Sequence, residues 1–367
     1  MKKELFGIDL GAAYSSISII DENGKPQILR NSMGALMTPS VVFFEGPSEE
    51  GGKINVTVGQ TAKDLGSIDP DNVVAFIKQQ MGLNWKKEFF GMEFTPEMIS
   101  AEIIRNLVRD VWDMHQIKVE DVVITCPTYV GDKEREATKA AGILAGLNVI
   151  GILDETVATA LCYGLNKSEG DRTAVIYDLG ASFNVAVISI KDNIKSIVCS
   201  DGDHQAGGKL WDKKIAENLA AKFIVATGVD FDQFMNDKYA QYDLQLQAEK
   251  IKMKFRALDS VKTKITFDKK SEIVEIKRAE FDEISEEILE RTLDITQNLI
   301  DIAKGKGIEK IDDFLLVGGT TMMPQVYETI KKRFASQVEN APAYFEPAFA
   351  VAKGAAIFAS LMMHEES

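Results

Sequence analysis

The chain has 367 residues, 45% hydrophobic and 27% charged, as in a soluble globular protein long enough for two domain-sized cores. Its 42 basic and 56 acidic residues give a net charge of −14. This charge argues against a basic surface that would bind nucleic acid or an anionic membrane. The three cysteines are scattered, and no apolar run is long enough for a signal peptide or a membrane span. We therefore expect a soluble, cytoplasmic protein that binds neither nucleic acid nor membrane.

The first half of the chain begins with two strand-like runs around a glycine. Residues 5–8 are apolar, the triplet Asp-Leu-Gly follows at 9–11, and residues 16–20 form a β-branched run. This order predicts a strand, a tight turn and a second strand, because glycine tolerates backbone angles that other residues avoid. Apolar periodicity, together with capping and stop signals, predicts four further elements. Three are helices, over 74–81, over 132–146 with Asp132 as its cap, and over 156–165. The fourth is a buried strand over 122–125.

The second half repeats this opening. Residues 178–184 read Asp-Leu-Gly-Ala-Ser-Phe-Asn, against Asp-Leu-Gly-Ala-Ala-Tyr-Ser at 9–15, and they too lie between an apolar run and a β-branched run. A match over so long a spacing indicates a duplicated domain and not a solenoid repeat. The later predicted elements are helices over 243–258, 281–304 and 347–358, and a strand over 314–317.

Strands that alternate with helices in both halves predict an α/β protein in which helices flank a sheet in each half. We place lobe I at residues 1–168 and lobe II at 169–367. The helices predicted at 156–165 and 347–358 are rich in small residues, which would let them cross closely between the lobes and act as a hinge. We expect the last helix, about 348–362, to pack back toward lobe I. The alternative for both helices is plain helix propensity.

The paired Asp-Leu-Gly turns are the first candidates for chemistry. A glycine turn between strands presents consecutive backbone N–H groups that can bind a phosphate. Two such turns facing each other would hold a polyphosphate, with Asp9 and Asp178 near a Mg²⁺ ion bound through water. The alternative for each turn is a plain hairpin corner. Two matched copies, one opening each half, favour the phosphate site.

Four other positions are weaker candidates. The pairs Gly207-Gly208 and Gly318-Gly319 permit close approach of the backbone to a ligand, although each pair also suits a simple turn. Lys78 is either a site residue or a solvated helix residue. Glu155 lies at the start of a predicted helix, where an acidic side chain also stabilises the helix dipole. From the residues alone, both interpretations of each position stay open.

Eight segments, taken in sequence order, resemble the ATPase domain of the DnaK-type, 70-kDa heat-shock chaperones. They lie at residues 7–15, 38–42, 123–129, 154–165, 178–180, 207–212, 317–326 and 351–356. The resemblance covers almost the whole chain. It implies the actin-like ATPase fold, with two similar lobes around a central nucleotide cleft, and ATP or ADP with Mg²⁺ as cofactors.

The resemblance also implies a role for each matching position. Asp9 and Asp178 would hold the water shell of Mg²⁺. Lys78 would orient the attacking water and meet the γ-phosphate, and Glu155 would help to position water. The implied nucleotide-binding residues are Gly11, Ala12, Ala13, Gly180, Gly207 and Gly208 at the phosphates, Glu249 and Lys252 at the ribose, and Gly318 and Gly319 at the adenosine. Phosphoryl transfer depends mostly on positioning and charge neutralisation, and these roles supply both.

The chain departs from the family pattern at several of these positions. Ala12 and Ala13 stand where the family usually has two threonines, so two hydroxyl groups near the phosphates are missing. The second turn, at 180–184, is one residue shorter than usual and ends in an amide. Met253 stands where an arginine usually stacks on the adenine, and Ala348 replaces the usual aspartate. These departures favour nucleotide binding over efficient turnover.

We therefore predict a nucleotide-binding module that hydrolyses ATP slowly and lacks the family's peptide-binding domain, since the chain ends soon after the last predicted helix. Whether it is an enzyme stays open, because a silent nucleotide sensor or scaffold, or an actin-like polymerising protein, is the alternative. A sugar or acetate kinase is disfavoured by the ordered segments. The expected partners are adenine nucleotide and a co-chaperone or client-presenting protein.

Overall fold

The computed structural model describes residues 4–47, 52, 54–163, 171–191, 194–344 and 346–365. The predicted lobe boundary at 168 and 169 lies outside these residues and stays a prediction. The last two residues of the helix predicted over 156–165 also lie outside them.

The part of the chain up to residue 163 is rich in short strands. Its strands are β1 (Leu5–Asp9), β2 (Tyr14–Ile20), β3 (Pro26–Ile28), β4 (Thr38–Pro39), β5 (Val41–Pro47), β6 (Ile54–Val58), β7 (Val73–Ala75), β8 (Lys87–Phe89), β9 (Met92–Phe94), β10 (Asp121–Cys126) and β11 (Asn148–Asp154). Its helices are α1 (Gln60–Leu65), α2 (Pro96–His115), α3 (Asp132–Leu144) and α4 (Glu155–Cys162), with short 3-10 turns at Pro70–Asn72 and Ile77–Gln80.

The part after residue 171 alternates long helices with strands. Its strands are β12 (Arg172–Leu179), β13 (Phe183–Lys191), β14 (Ile194–Asp203), β15 (Ser260–Phe267), β16 (Lys270–Lys277), β17 (Asp313–Val317) and β18 (Ala343–Tyr344). Its helices are α5 (Gly208–Thr227), α6 (Phe231–Met235), α7 (Lys238–Lys254), α8 (Arg278–Gly305), α9 (Pro324–Phe334) and α10 (Ala350–Glu365), with a 3-10 turn at Gly319–Met322. In the described part of the chain, every helix is too short or too polar to cross a bilayer.

Two mixed sheets share one strand order. The first runs β11-β10-β1-β2-β3 and the second β18-β17-β12-β13-β14. In the first sheet, the central strand β1 pairs antiparallel with β2 and parallel with β10. In the second sheet, the central strand β12 pairs antiparallel with β13 and parallel with β17. The duplicated segment therefore forms the central hairpin of each sheet, and the predicted strand, turn and strand are confirmed in both copies.

Buried apolar side chains form a separate core on each sheet. In the first, β1 and β10 pack against α2, with Phe6 and Ile104 fully buried. In the second, aromatic side chains from β12, α5 and α8 pack together, among them Tyr177, Trp211 and Phe281. The indole of Trp211 meets the ring of Phe281 edge to face, with centroids 5.5 Å apart. Each sheet is thus stabilised by its own layer of helices.

A further buried cluster joins the two sheets. It contains Val123 of β10, Ile176 of β12 and alanines of α4 and α10. Helix α10 lies against α4, β1 and β10. A methyl group on Gly354 of α10 would lie 1.8 Å from the carbonyl oxygen of Ala158 in α4, so the crossing requires glycine at this position. The small residues do bring the two helices close together, while the hinge motion stays a prediction.

Two local predictions are wrong. Residues 74–81 do not form a helix, because Phe76 has a positive φ of 59°, in the left-handed region, and this ends β7 and starts a 3-10 turn. Asp132 is the first residue of α3, and Gly131 occupies the capping position before it. The carboxylate of Asp132 still lies in the first turn, where negative charge interacts favourably with the helix dipole.

Two helices begin before their predicted starts because their caps lie upstream. The side chain of Asp237 accepts a hydrogen bond from the N–H of Ala240 at 2.8 Å, which starts α7 at residue 238. The carboxylate of Glu280 accepts a bond from the N–H of Lys277 at 2.8 Å at the start of α8. Helix α10 begins later than predicted, at Ala350.

We expect Gly354→Ala to lower the melting temperature, because the new methyl group would collide with Ala158 and force α4 and α10 apart. Overpacking of a buried contact costs about 1–3 kcal/mol. The measurement is thermal unfolding followed by circular dichroism. Gly305→Ala is the matched control, since Gly305 ends α8 and a methyl group there has no neighbour within 4 Å. Equal melting temperatures for the two variants would contradict a tight crossing.

Candidate functional site

A cleft lies between the two sheets and receives the ends of β1 and β12. Its cavity has a volume of about 570 Å³, within the range of pockets that hold small-molecule ligands. We call it the central cleft. The predicted site residues that line it are Asp9, Gly11, Ala12, Ala13, Lys78, Glu155, Asp178, Gly180, Gly208, Glu249, Lys252, Gly318 and Gly319.

The first turn, residues 10–13, joins β1 to β2. Ser40 fixes this turn from two sides. Its hydroxyl donates to the carbonyl oxygen of Gly11 at 2.7 Å, and its N–H donates to the carbonyl oxygen of Ala13 at 2.9 Å. These bonds use the carbonyl groups of the turn, and a glycine turn of this kind can present its backbone N–H groups to an anion.

The second turn, residues 180–182, joins β12 to β13 and is more constrained. The N–H of Gly180 donates to the carbonyl oxygen of Ser182 at 3.0 Å, so this donor is occupied within the turn. The carbonyl oxygen of Gly180 accepts bonds from the N–H of Gly208 at 2.8 Å and from the hydroxyl of Thr320 at 3.2 Å. Gly180 therefore reaches the cleft, but it offers fewer free donors than its sequence match implies.

The glycine pairs allow close approach of one backbone segment to another. A methyl group on Gly207 would lie 2.1 Å from the carbonyl oxygen of Ala181, so Gly207 packs against the second turn while Gly208 lines the cleft. Gly318 has a φ of 83°, and a methyl group there would lie 2.4 Å from the carbonyl carbon of Leu179. Glycine is thus required at Gly207 and at Gly318 by the turns around the cleft.

Ionisable side chains from both lobes meet in the cleft. Asp9 ends β1, Asp178 lies near the end of β12, and Glu155 begins α4. Lys78 and Glu155 form an ion pair in which the side chains are only 12% and 8% exposed. The amide of Asn184 donates to the second oxygen of Glu155 at 3.3 Å. Lys78 is therefore a buried, paired residue of the cleft and not a solvated side chain.

Burial shifts the charge states of this cluster. It raises the pKa of Asp9, with Lys78 opposing the shift and Glu155 adding to it. It also raises the pKa of Asp178, to which the negative charges of Glu155 and Asp9 add. Burial alone would lower the pKa of Lys78, but Glu155 and Asp9 raise it above its ordinary value. The cluster holds one firmly protonated ammonium group and carries excess negative charge once its carboxyl groups ionise.

Glu249 and Lys252 of α7 reach the cleft through pairs with other side chains. Glu249 forms an ion pair with Lys63 and accepts a hydrogen bond from the hydroxyl of Tyr14 at 2.7 Å. Lys252 pairs with Asp212 at 2.8 Å. Burial raises the pKa of Asp212 to about 6, although Lys252 opposes this shift. The bonds of Glu249 join α7 to the first lobe across the cleft.

Among the residues that sequence reasoning missed are Tyr14 and Arg256, which line the cleft, and Lys63, which pairs with Glu249. Arg256 follows α7, lines the cleft, and donates from Nη2 to the carbonyl oxygen of Gly319 at 2.8 Å. Tyr14 lies within a segment that carries the family resemblance, which was a usable signal. The resemblance implies an arginine at the position of Met253, and Arg256 lies three positions later. This spacing was a usable signal for Arg256.

The cleft suits a Mg²⁺ ion that is bound together with phosphate. Mg²⁺ prefers oxygen ligands, keeps several waters, and uses one or two carboxylates plus phosphate oxygens. Asp9 and Asp178 supply two carboxyl groups from opposite lobes. Within the described ranges, no group of three or more acidic, histidine or cysteine side chains is arranged to hold a metal directly. Asp9 and Asp178 are the residues that could hold such an ion through water.

The family model of Hsp70 protein matches residues 5–91 and 85–367 of this chain. Because the match covers nearly the whole sequence, the chain belongs to the Hsp70 family, and the resemblance seen in the sequence is confirmed. Its two-lobed α/β architecture is the actin-like ATPase fold. The family identifies a nucleotide-binding chaperone ATPase domain that binds ATP and ADP.

We expect Asp178→Asn to stabilise the ligand-free protein increasingly as the pH rises from 5 to 8. The folded-state pKa of Asp178 lies above its ordinary value, so its contribution to stability is full below about pH 4 and is lost as the pH rises. An amide cannot ionise and avoids this loss. Each unit of pKa shift is worth about 1.4 kcal/mol. The measurement is the melting temperature in EDTA across this pH range.

The control for this experiment is Asp232→Asn, which changes an exposed carboxylate of α6. We expect its melting temperature to follow that of the unmodified protein at every pH. A constant difference between Asp178→Asn and the unmodified protein from pH 5 to 8 would contradict the raised pKa of Asp178.

Proposed function

We propose that this chain binds ATP and ADP together with Mg²⁺ and hydrolyses ATP slowly. The observation that supports this most strongly is the meeting of two matched glycine turns with an ionisable cluster from both lobes in one cleft. A polyphosphate needs backbone N–H donors, which the first turn would supply, and positive charge, which Lys78 and a Mg²⁺ ion held by the acidic side chains would supply. The proposal includes a cytoplasmic location and a protein partner that responds to closure of the lobes.

The acidic residues of the cluster would hold the metal. Asp9 and Asp178 would accept hydrogen bonds from water molecules around Mg²⁺, which when bound would neutralise charge on the phosphates. Because the two aspartates come from opposite lobes, binding there would join the lobes. Burial raises the pKa of both aspartates more than the charge of Lys78 lowers it, and a bound cation would favour their ionised forms.

Lys78 and Glu155 would act together on the terminal phosphate. Glu155 holds the ammonium group of Lys78 in the cleft, and Asn184 holds the second oxygen of Glu155 at 3.3 Å. The ammonium group would contact the γ-phosphate and orient the attacking water, and Glu155 would help to place that water. A fixed charge in a buried site stabilises a transition state without reorganisation, which is the main source of catalysis in such sites.

The remaining residues would hold the rest of the nucleotide. Backbone N–H groups of the first turn would bind phosphate, while Gly208 would lie beside the phosphate and ribose. Glu249 and Lys252 would contact the ribose, with Asp212 orienting Lys252. The Gly318-Gly319 turn would lie against the adenosine. This division gives phosphate binding mainly to the first lobe and nucleoside binding mainly to the second.

Slow hydrolysis follows from the donors that are missing. Ala12 and Ala13 line the cleft without a hydroxyl group, and the N–H of Gly180 is occupied by Ser182. Binding is less affected, because the backbone N–H groups of the first turn do not depend on the side chain. A nucleotide sensor without turnover is the second candidate, favoured by the same alanines and by Asn184 in place of an acid. Single-turnover hydrolysis separates the two.

We expect Mg²⁺ to strengthen ATP binding by at least about tenfold, or 1.4 kcal/mol, in isothermal titration calorimetry. In the double variant Asp9→Asn with Asp178→Asn, this gain should disappear, because the amides cannot neutralise the hydrated ion. At 100 times the dissociation constant, the ligand should also raise stability by about 2.7 kcal/mol.

Asp232→Asn is again the control and should bind as the unmodified protein does. The proposal fails if ATP with Mg²⁺ gives no binding heat and no change in melting temperature. It also fails if the double variant binds ATP with an undiminished response to Mg²⁺.

We expect Ala13→Thr, and Ala12→Thr with Ala13→Thr, to accelerate single-turnover hydrolysis with little change in ATP affinity. A hydrogen bond to a charged group is worth about 1.5–3 kcal/mol. Only the part of this hydrogen-bond energy that is realised in the transition state affects the rate. Each restored donor should therefore increase the hydrolysis rate by about tenfold to 100-fold. The measurement is release of labelled phosphate from a stoichiometric complex.

Ala13→Val is the matched control, because valine has the shape of threonine without its hydroxyl group. It should leave the rate unchanged or reduce it. Equal rates for Ala13→Thr and Ala13→Val would show that the hydroxyl is not the missing element. Turnover by the unmodified protein as fast as a full-motif DnaK-type domain assayed beside it would contradict slow hydrolysis.

A further inference from the structure

The turn that carries Lys78 begins with a strained residue. Lys78 lies in the 3-10 turn Ile77–Gln80, and Phe76 just before this turn has a φ of 59°, in the left-handed region. A bulky side chain disfavours this backbone conformation, which persists where the surrounding structure holds it in place. Such residues cluster at functional sites. Contacts that hold Phe76 therefore also help to place Lys78, two residues later.

Lys209 of the second lobe contacts this turn from across the central cleft. Its ammonium nitrogen lies 4.5 Å from the centre of the Phe76 ring, which is the geometry of a cation–π contact. The same nitrogen donates to Oε1 of Gln79 at 3.1 Å. The side-chain nitrogen of Gln79 donates in turn to the carbonyl oxygen of His204 at 3.4 Å. Residues on both sides of Lys78 are thus joined to the segment 204–209.

A lysine at position 209 is unfavourable for helix α5 itself. Lys209 is the second residue of α5, and a positive charge in the first turn of a helix interacts unfavourably with the helix dipole. Loss of water lowers the pKa of its ammonium group, and no carboxylate among the described residues opposes this shift. The local structure of α5 therefore gives no reason for a lysine here, whereas the contacts with Phe76 and Gln79 do.

Lys209 and Glu155 hold different parts of the segment around Lys78. Glu155 pairs with the ammonium group of Lys78, whereas Lys209 contacts the residues before and after it. Phe76, Gln79 and Lys209 all line the central cleft. Because Lys209 and Phe76 belong to opposite lobes, opening of the cleft would break their contact and leave the strained turn without it.

We propose that Lys209 is a positioning residue, which holds the turn around Phe76 and Gln79, and with it Lys78, when the lobes are closed. Lys78 is then placed for the γ-phosphate in the closed form, so this contact couples closure to hydrolysis. The inference rests on the proposed hydrolysis of ATP and names a residue that regulates it. The ammonium group of Lys209 is engaged with Phe76 and Gln79 and does not bind the phosphates.

The first test measures the turn and needs no hydrolysis. Hydrogen–deuterium exchange of residues 73–83, measured with excess ATP and Mg²⁺, should be about tenfold faster in Lys209→Leu than in the unmodified protein. Leucine keeps an apolar side chain but has no ammonium group. Lys213→Leu is the matched control, since Lys213 is an exposed residue one turn later in α5 and the variant loses the same charge. Unchanged exchange in Lys209→Leu would overturn the proposal.

The second test measures single-turnover hydrolysis together with ATP affinity. Lys209→Leu should slow hydrolysis by about tenfold to 100-fold, because the group that acts on the phosphate is misplaced. Its dissociation constant for ATP should stay within about threefold of the unmodified value. Lys209→Arg should recover most of the rate, since arginine also makes cation–π contacts and donates hydrogen bonds. A merely structural role would lower the melting temperature and leave the rate of the folded protein unchanged.

A double-mutant cycle identifies the group through which Lys209 acts. Phe76→Leu removes the ring and should slow hydrolysis about as much as Lys209→Leu does. The double variant should be no slower than either single variant, because both changes remove one contact. Losses that multiply in the double variant would show that Lys209 does not act through Phe76.

The outcomes separate this inference from the function on which it rests. If the unmodified protein does not hydrolyse ATP, or Lys78→Ala hydrolyses it at the unmodified rate, the proposed hydrolysis fails, while the exchange measurement still decides whether Lys209 holds the turn. If Lys78→Ala is slow but Lys209→Leu is as fast as the unmodified protein, the positioning role is wrong. If Lys209→Leu weakens ATP binding as much as it slows hydrolysis, Lys209 binds phosphate and the proposal is also wrong.

Discussion

The crossing of α4 and α10 is the contact on which the rest of the structure depends. At this point the backbone of Gly354 lies so near the carbonyl group of Ala158 that no side chain fits between them. Both helices belong to the buried cluster that contains residues from both central sheets. Because the sheets are held at this distance, the ends of β1 and β12 open into one cleft, and the two glycine turns become parts of a single site.

The second constraint is electrostatic and is created by the first. Bringing the strand ends together buries Asp9, Asp178 and Glu155 around the single ammonium group of Lys78. Burial of like charges disfavours their ionised forms, and the raised pKa values of both aspartates express that cost. A core built only for stability would avoid such a cluster. Its presence at the meeting point of the lobes is typical of a functional site.

The fold and most of the site could be predicted because their signals are local or repeated. The Asp-Leu-Gly copies mark both central hairpins directly, and the small residues of α4 and α10 mark the crossing. The segment around Lys78 could not be predicted in this way. Its apolar spacing suits a short helix, but residues 73–75 pair with β5 as a strand and Phe76 has a left-handed backbone. The contact of Arg256 with Gly319 was also hidden, because it joins residues far apart in the chain.

The two glycine turns of the cleft differ in how their backbone groups are used. Ser40 bonds to the carbonyl oxygens of the first turn, whereas the second turn uses the N–H of Gly180 internally. In the second lobe, Lys252 pairs with Asp212, and Arg256 bonds to the carbonyl oxygen of Gly319. Under the proposed function, phosphate would contact mainly the first lobe and the nucleoside mainly the second, so the ligand would bridge them. The missing side-chain hydroxyls at the first turn would then affect the chemistry at the phosphate and leave this bridge in place.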